Sequence, residues 1–160
     1  TLEFMLTKPL SDWQLVMGKF TSTLLLVSIS LALTLPYYIT IATLGEVDHS
    51  AIITGYIGLL FMSASYISIG LFASSISSNQ IVGFLLAVLF GATFHIFFRL
   101  IGLNLSGFLG ELFEGLSMPP HIESISRGVL DSKDLIYFFS LIILGLVGSE
   151  MILAKTNYTD

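Results

Sequence analysis

The sequence contains no cysteine and little charge. Without cysteine, disulfide bonds, thiolate metal sites and thiol catalysis are excluded. Asp, Glu, Lys and Arg make up 11% of the 160 residues, whereas a soluble domain carries about 25%. Six Lys or Arg stand against eleven Asp or Glu, for a net charge of −5. This balance argues against a basic surface that binds nucleic acid.

Motifs of common catalytic and nucleotide-binding sites are missing as well. Neither GxxxxGK[ST] nor GxSxG occurs, so we expect ATP to bind elsewhere than on this chain. His49, His95 and His121 lie far apart and lack HExxH spacing, so a metal site would need convergence in the fold. The sequence therefore predicts no catalytic residue, no metal and no cofactor bound by this chain.

What the sequence has instead is long hydrophobic runs, in a composition that is 54% hydrophobic. A membrane-spanning helix needs about 20 mostly apolar residues. No Asp, Glu, Lys or Arg occurs between Lys19 and Glu46, or between Asp48 and Arg99. The second run is long enough for two helices and breaks most naturally at the polar stretch 74–80. We predict one all-α membrane domain over 1–160, a polytopic bundle whose four transmembrane helices lie at about 20–45, 51–73, 81–99 and 135–154.

Three local features add detail to the predicted spans. Pro36 predicts a kink in the first span. The acidic, cap-forming stretch 131–134 marks the start of the last span. Between the third and fourth spans, the segment 100–130 is rich in glycine and its apolar part is too short to cross a bilayer, which indicates a re-entrant or interfacial element.

The N-terminal segment 1–19 reads as a short interfacial helix followed by entry into the membrane. Pro9 ends the first helical stretch, and Ser11 with Gln14 has the pattern of a capping box that opens a new helix. Trp13 stands at the depth that indole rings prefer. The segment is either a simple anchor or a lever that a soluble partner pushes.

Three stretches of sequence resemble ABC-2-type transporter permeases, most closely those associated with gliding motility. The first is TLEFMLTKPLSDWQ at 1–14, followed by Gly18, Lys19 and Phe20. The second is GLFASS at 70–75 with NQIV at 79–82, and the third is SISRGVLDSKDLIYF at 124–138. The match runs along nearly the whole chain, in the family's order.

The resemblance implies a six-span permease of a bacterial inner (plasma) membrane, of which this chain holds the third to sixth spans and lacks an N-terminal part. It also implies two partners, an ABC ATPase subunit that binds ATP-Mg and a second permease subunit. Lysine and arginine flank both membrane sides equally, so charge alone does not orient the chain. By resemblance, residues 1–12 are the cytoplasmic coupling helix, and 100–130 is extracytoplasmic. The residues implied in ATPase coupling are Glu3, Thr7, Lys8, Pro9, Ser11 and Asp12.

Polar residues near the last span form a predicted extracytoplasmic cap motif. Arg127 and Asp131 are four residues apart and are expected to pair. The whole motif comprises Ser126, Arg127, Asp131 and Asp134.

Ionisable groups inside the predicted spans have two interpretations each, because such groups are costly in a bilayer and often functional. Glu150 lies either near the headgroups or against a partner helix or substrate pathway. His95 and Arg99 are expected to share a helix face, where Arg99 either reaches the interface or contacts substrate with His95. The small residues of the second span are interpreted either as a close helix-packing surface, which the sequence favours, or as a polar conduit: Ala64, Ser68, Gly70 and Ser74.

Two other classes of function remain open beside the permease. A structural or scaffolding membrane subunit would use these polar groups only to pack helices. An integral-membrane enzyme would use Glu150, His95 or Glu123 with water in a cavity, although the sequence shows no nucleophile and base at catalytic spacing.

Overall fold

A computed structural model describes residues 11–159, with side chains as far as 156. Over this range every regular element is helical. One π-helical turn, Thr93–Phe97, joins two of the α-helices. The α-helices are α1 (Asp12–Ala32), α2 (Leu35–Leu44), α3 (His49–Ile76), α4 (Gln80–Ala92), α5 (Phe98–Asn104), α6 (Phe108–Leu116), α7 (Pro119–Ser126) and α8 (Ser132–Thr159).

Four helical segments of the described chain are long and apolar enough to cross a membrane. They are Asp12–Leu44, His49–Ile76, Gln80–Asn104 and Ser132–Thr156. The all-helical fold and the four candidate spans are therefore confirmed, and together they indicate a membrane protein.

The third span is longer than the sequence predicted. Its helix does not stop at Arg99 but continues through α5 to Asn104, so residues 100–104 do not belong to the element between the spans. The charge of Arg99 does not end the helix because the side chain reaches out to Glu123 of α7, with 3.2 Å between Nη1 and Oε1.

Pro36 marks a real break in the first span. The α1 helix ends at Ala32, and Pro36 lies in the first turn of α2. The N–H groups of a first turn have no partner within the helix, so proline, which lacks this group, is tolerated there. Thr34 stands in the break, and its hydroxyl hydrogen-bonds the hydroxyl of Tyr56 in α3 at 2.6 Å. The predicted kink is confirmed, and a side-chain bond ties it to the next span.

The α3 helix is the centre of the bundle and packs against α1, α4, α7 and α8. Its buried hydroxyls donate to carbonyls one turn earlier, as Ser65 does to Phe61 at 2.9 Å. Ala64 and Ser68 are buried, as close packing requires, and Ser74 lies against Gly83 of α4. Gly70, in contrast, has open space where a Cβ would stand. Small residues therefore let the neighbouring helices approach α3, as expected in membranes.

Two buried hydrophobic clusters hold the helices together. One, Val16, Phe20, Ala64 and Leu146, joins α1 to α3 and α8. The other joins α3 and α8 to the segment between the spans and consists of Ile69, Met118, Ile125, Phe138 and Leu141.

The segment between the third and fourth spans contains two short helices, α6 and α7, which we call the cap. Gly107 has φ +77°, a left-handed conformation that favours glycine, and it turns the chain back so that α6 packs against α5. A Cβ on Gly102 would lie 2.7 Å from the backbone nitrogen of Glu114. Glycine is thus needed at both places for the hairpin to close. The depth of the cap in a bilayer, including a re-entrant position, stays a prediction.

Candidate functional site

A buried histidine and a buried aspartate join the cap to the last span. The Nδ1 atom of His121, in α7, lies 2.7 Å from Oδ1 of Asp134, in the first turn of α8. Their side chains are only 6% and 1% exposed. The other ring nitrogen of His121, Nε2, lies 2.7 Å from the carbonyl oxygen of Gly115. The imidazole is therefore held at both nitrogens.

These contacts restrict where the protons of the pair lie. A carbonyl oxygen only accepts, so Nε2 of His121 carries a hydrogen and donates it to Gly115. Nδ1 then either donates to an ionised Asp134 or accepts from its protonated carboxyl. In both arrangements one proton lies between Nδ1 and Oδ1, and the pair as a whole is neutral.

The imidazole of His121 is also covered on one face. The ring of Tyr137 stacks on it with centroids 3.9 Å apart and planes 13° apart. Tyr137 follows Asp134 by three residues in α8, so both side chains project from one face of the helix. Its hydroxyl donates to the carbonyl oxygen of Leu116. Hydrogen bonds at the ring edge and a stacked aromatic face together fix the orientation of His121.

A backbone hydrogen bond docks the start of α7 on the third span. The N–H of Met118 donates to the carbonyl oxygen of Phe94 at 2.9 Å. Phe94 lies in the π-helical turn, where the displaced hydrogen-bond pattern leaves a carbonyl for an outside donor. Pro119 and Pro120 follow in the first turn of α7, where their missing N–H groups cost no helical bond. His121 is therefore presented by a helix whose start is fixed to the bundle.

The second carboxyl oxygen of Asp134 has no hydrogen-bond partner among the described residues. Oδ2 is buried and receives no hydrogen bond from the described part of the protein. An unpaired buried acceptor costs roughly 1–3 kcal/mol, and more when it is charged. The two ring nitrogens of His121 already bond Oδ1 of Asp134 and the carbonyl oxygen of Gly115. His121 therefore has no nitrogen left to donate to Oδ2.

Asp134 lines a cavity of about 530 Å³ at the cap, which we call the cap cavity. Most of its lining residues are polar, among them three with carboxyl groups and one lysine. The residues are Glu111, Glu114, Gly115, Pro120, His121, Ser124, Lys133 and Asp134.

Of the predicted cap motif, only Asp134 takes part in this site. Ser126, Arg127 and Asp131 are exposed. The hydroxyl of Ser126 donates to the backbone carbonyl oxygen of Glu123, and a carboxylate oxygen of Asp131 accepts from the N–H of Lys133. The Ser126 bond stays within α7 and the Asp131 bond lies at the start of α8, and neither residue lines the cap cavity.

The expected ion pair between Arg127 and Asp131 does not form. Among the described residues, ion pairs join Arg99 to Glu123 and His121 to Asp134, and none joins Arg127 to Asp131. A four-residue spacing brings side chains together only on a helix, and α7 ends at Ser126, one residue before Arg127. Gly128 follows with φ +95°, so the chain is turning where the pairing would need helical geometry.

The three ionisable groups predicted inside the membrane are not brought together. His95 lies in the π-helical turn, and its Nδ1 hydrogen-bonds the hydroxyl of Tyr66 in α3. Arg99 pairs instead with Glu123. Glu150 is half-buried, with no hydrogen bond or ion pair to another described residue. His95 and Arg99 therefore do not act together on one helix face, because each contacts a different partner.

The predicted coupling segment falls mostly outside the described residues, which do not include Glu3, Thr7, Lys8 and Pro9. Ser11 and Asp12 are described and open α1. The Ser11 hydroxyl accepts from the N–H of Gln14 at 3.2 Å, and the Gln14 side chain accepts from the N–H of Ser11 at 3.0 Å. The predicted capping box is confirmed.

A second cavity, most of whose lining residues are polar, lies at this end of the bundle beside the start of α1. Its volume is about 430 Å³. Lys19 and Thr156 line it together with five serines of the α3 end, its following loop and α8: Ser74, Ser75, Ser77, Ser78 and Ser149.

Sequence reasoning missed His121 as a site residue. Its distance from the other histidines counted against a role, and its partner stands thirteen positions further on across a turn. No local spacing pattern links two such residues. The usable signal was weaker: a histidine directly after two prolines, close to a last span that opens with an acidic turn.

Comparison of the chain with protein-family models, curated proteins and solved structures finds no match. The resemblance to ABC-2-type permeases therefore remains a prediction from the sequence.

Proposed function

We propose that this chain is the membrane-spanning permease component of an ABC-2-type transporter, of the kind associated with gliding motility. It would form part of an export pathway in a bacterial inner membrane, while a separate ATPase subunit binds and hydrolyses ATP-Mg. The observation that carries the proposal is the order of elements. A capped helix start at Ser11, four candidate spans and a two-helix cap directly before the last span match what the resemblance implies.

The packing at the start of α1 supports a coupling role for residues 1–12. Ser11 caps α1, which begins at Asp12 and therefore within the proposed coupling segment. Val16 and Phe20 of that helix lie in one buried cluster with Ala64 of α3 and Leu146 of α8. A displacement of the coupling segment would therefore be passed to two further spans by direct packing.

The first span supports the requirement for a second permease subunit. No residue in the most apolar stretch of this span is buried by the rest of the described chain. Leu25, Leu26 and Ile29 are more than half exposed. Such a surface suits lipid or the spans of a partner subunit, and in the proposed transporter part of it faces the partner permease.

Co-purification tests the proposal. The full-length protein is extracted in mild detergent from its native membrane and assayed for an associated ATPase. We expect an ATPase subunit to co-purify, Lys8→Glu to release it, and Arg127→Glu, a charge reversal at the cap, to retain it. A scaffolding subunit predicts that Lys8→Glu has no functional effect, and absence of any ATPase from the intact protein contradicts the permease assignment.

A further inference from the structure

We infer that helix α1 rocks on the central and last spans, α3 and α8, about the buried side chain of Phe20. The helix is packed at one place with a cavity on each side, so a tilt that closes one cavity opens the other. The use of α1 as a lever rests on the proposed function, in which an ATPase moves residues 1–12. The rocking itself is a property of this chain.

The buried contact of α1 lies at one place along the helix. Val16 and Phe20 are its buried residues, and they pack with Ala64 of α3 and Leu146 of α8. Beyond this contact, no residue in the most apolar stretch of the first span is buried by the described chain. A helix that is packed mainly at one point can tilt about that point.

A cavity lies on each side of this contact, between the same three helices. The cavity beside the start of α1, which we call the polar cavity, reaches along that helix as far as Lys19. Another cavity of about 360 Å³, which we call the apolar cavity, extends along α1 from Phe20 to Ser28. Its lining is Phe20, Leu24, Ser28, Ile57, Leu60, Phe61, Ala64, Phe139 and Ile142.

The packed contact separates the two cavities on the other two helices as well. In α8 the lining of the polar cavity begins at Ser149, that of the apolar cavity ends at Ile142, and Leu146 lies between them. In α3 the lining of the polar cavity begins at Leu71, and that of the apolar cavity ends at Ala64. This arrangement is that of a pivot with open space on both sides.

The pivot divides α1 into two arms. With a rise of about 1.5 Å per residue, the arm from Phe20 back to Asp12 is about 12 Å long, and the arm from Phe20 to Ala32 is about 18 Å long. At the far end the chain breaks around Thr34, so α2 does not have to follow α1. A displacement of the helix start therefore appears at the far end in the opposite direction.

Several hydroxyls that line the two cavities bond within their own helices. Ser75 donates to the carbonyl oxygen of Phe72 at 2.6 Å, and Ser149 donates to that of Gly145 at 2.8 Å. In the apolar cavity, Ser28 donates to the carbonyl oxygen of Leu24 at 2.8 Å. These bonds do not break when α1 tilts against its neighbours.

Disulfide trapping in the complete protein, purified in detergent, tests the rocking. The sequence contains no cysteine, so Lys19→Cys with Ser78→Cys places one thiol on the α1 side of the polar cavity and one on the α3 side. A disulfide needs Cα atoms roughly 4–7 Å apart. The rate at which it forms therefore measures how often α1 tilts to close this cavity.

Ser28→Leu, made in the two-cysteine protein, is the test variant. The larger side chain fills part of the apolar cavity and blocks the tilt that closes it. Ser30→Leu is the matched control, because it makes the same change at an exposed position of the same helix. Both serines donate to a carbonyl oxygen one turn earlier, so both variants lose an equivalent bond.

We expect Ser28→Leu to raise the rate of disulfide formation at least about twofold, since excluding one tilt shifts the population towards the other. Ser30→Leu should leave the rate unchanged. The rocking is overturned if the two leucine variants give the same rate, or if Ser28→Leu slows the disulfide.

The ATPase activity of the purified complex distinguishes the rocking from its proposed use. The trapped disulfide should lower this activity at least about fivefold, and reduction with dithiothreitol should restore it. If the leucine variants differ but the trapped disulfide leaves the ATPase unchanged, α1 rocks and the coupling role of residues 1–12 is wrong. If no ATPase co-purifies, the proposed function is contradicted, while the disulfide rates still decide whether α1 rocks.

Discussion

Gly145 of α8 lies directly against the backbone of Ser68 in α3. A Cβ on Gly145 would stand 2.7 Å from both the carbonyl carbon and the carbonyl oxygen of Ser68, closer than real Cβ contacts come. The hydroxyl of Ser68 bridges the same interface by donating to the carbonyl oxygen of Leu141 at 3.4 Å. The last span and the central span thus meet backbone to backbone. Helix α7 of the cap packs against both of these helices.

Gly145→Ala is therefore expected to destabilise the protein. The obstacle is backbone, which cannot rotate away as a side chain can, so α3 and α8 must separate. Overpacking of this kind costs about 1–3 kcal/mol. Thermal unfolding in detergent measures the effect as a lower Tm. Gly70→Ala in α3 is the matched control, because nothing lies within 4 Å of a Cβ there. Equal Tm values for the two variants would contradict the close contact.

Removal of one member of the His121–Asp134 pair is expected to weaken the attachment of the cap to the last span. Asp134→Ala leaves Nδ1 of His121 buried without its partner, and breaking such a pair costs about 3–5 kcal/mol. Thermal unfolding again supplies the measurement. The double variant His121→Ala with Asp134→Ala should lose clearly less stability than the sum of the two single losses. In the double variant no buried polar side chain is left without its partner. Strict additivity would show that the two side chains do not interact.

The exposed pair of Arg99 and Glu123 is expected to behave differently. Its side chains are 37% and 55% exposed, and exposed pairs contribute about 0–1 kcal/mol. Glu123→Gln should therefore change the Tm far less than Asp134→Ala does. A loss as large as that of the buried pair would mean that the α5–α7 contact is shielded from solvent, for example by a partner subunit.

Features that depend on neighbouring residues were predictable from the sequence. Apolar runs of sufficient length predicted four spans, because a helix in hydrocarbon satisfies its backbone hydrogen bonds internally. The capping box at Ser11 and the break at Pro36 were also predictable, because each depends on residues within one helical turn.

Features that depend on residues distant in sequence were not predictable. The pairing of His121 with Asp134 needs α7 and α8 to be placed side by side, and no spacing rule encodes that. The end of the third span was placed too early because Arg99 was taken as a boundary, whereas a partner in α7 lets its helix continue. The predicted Arg127–Asp131 pair failed because α7 ends before it and Gly128 turns the chain.

The capping box of Ser11 links stability to the proposed coupling. Ser11→Ala removes the side-chain acceptor of the Gln14 N–H, and loss of an N-cap costs about 0.5–2 kcal/mol. The first turn of α1 should fray, so residues 1–10 would no longer lead into a rigid helix. In the purified complex we expect a small drop in Tm together with a clear drop in transport-coupled ATPase activity. Ser22→Ala is the control, since that hydroxyl donates to the carbonyl oxygen of Lys19 within the same helix and to no other described residue. If both variants retain full activity, force does not pass through the start of α1, and the ATPase has to act on the permease elsewhere.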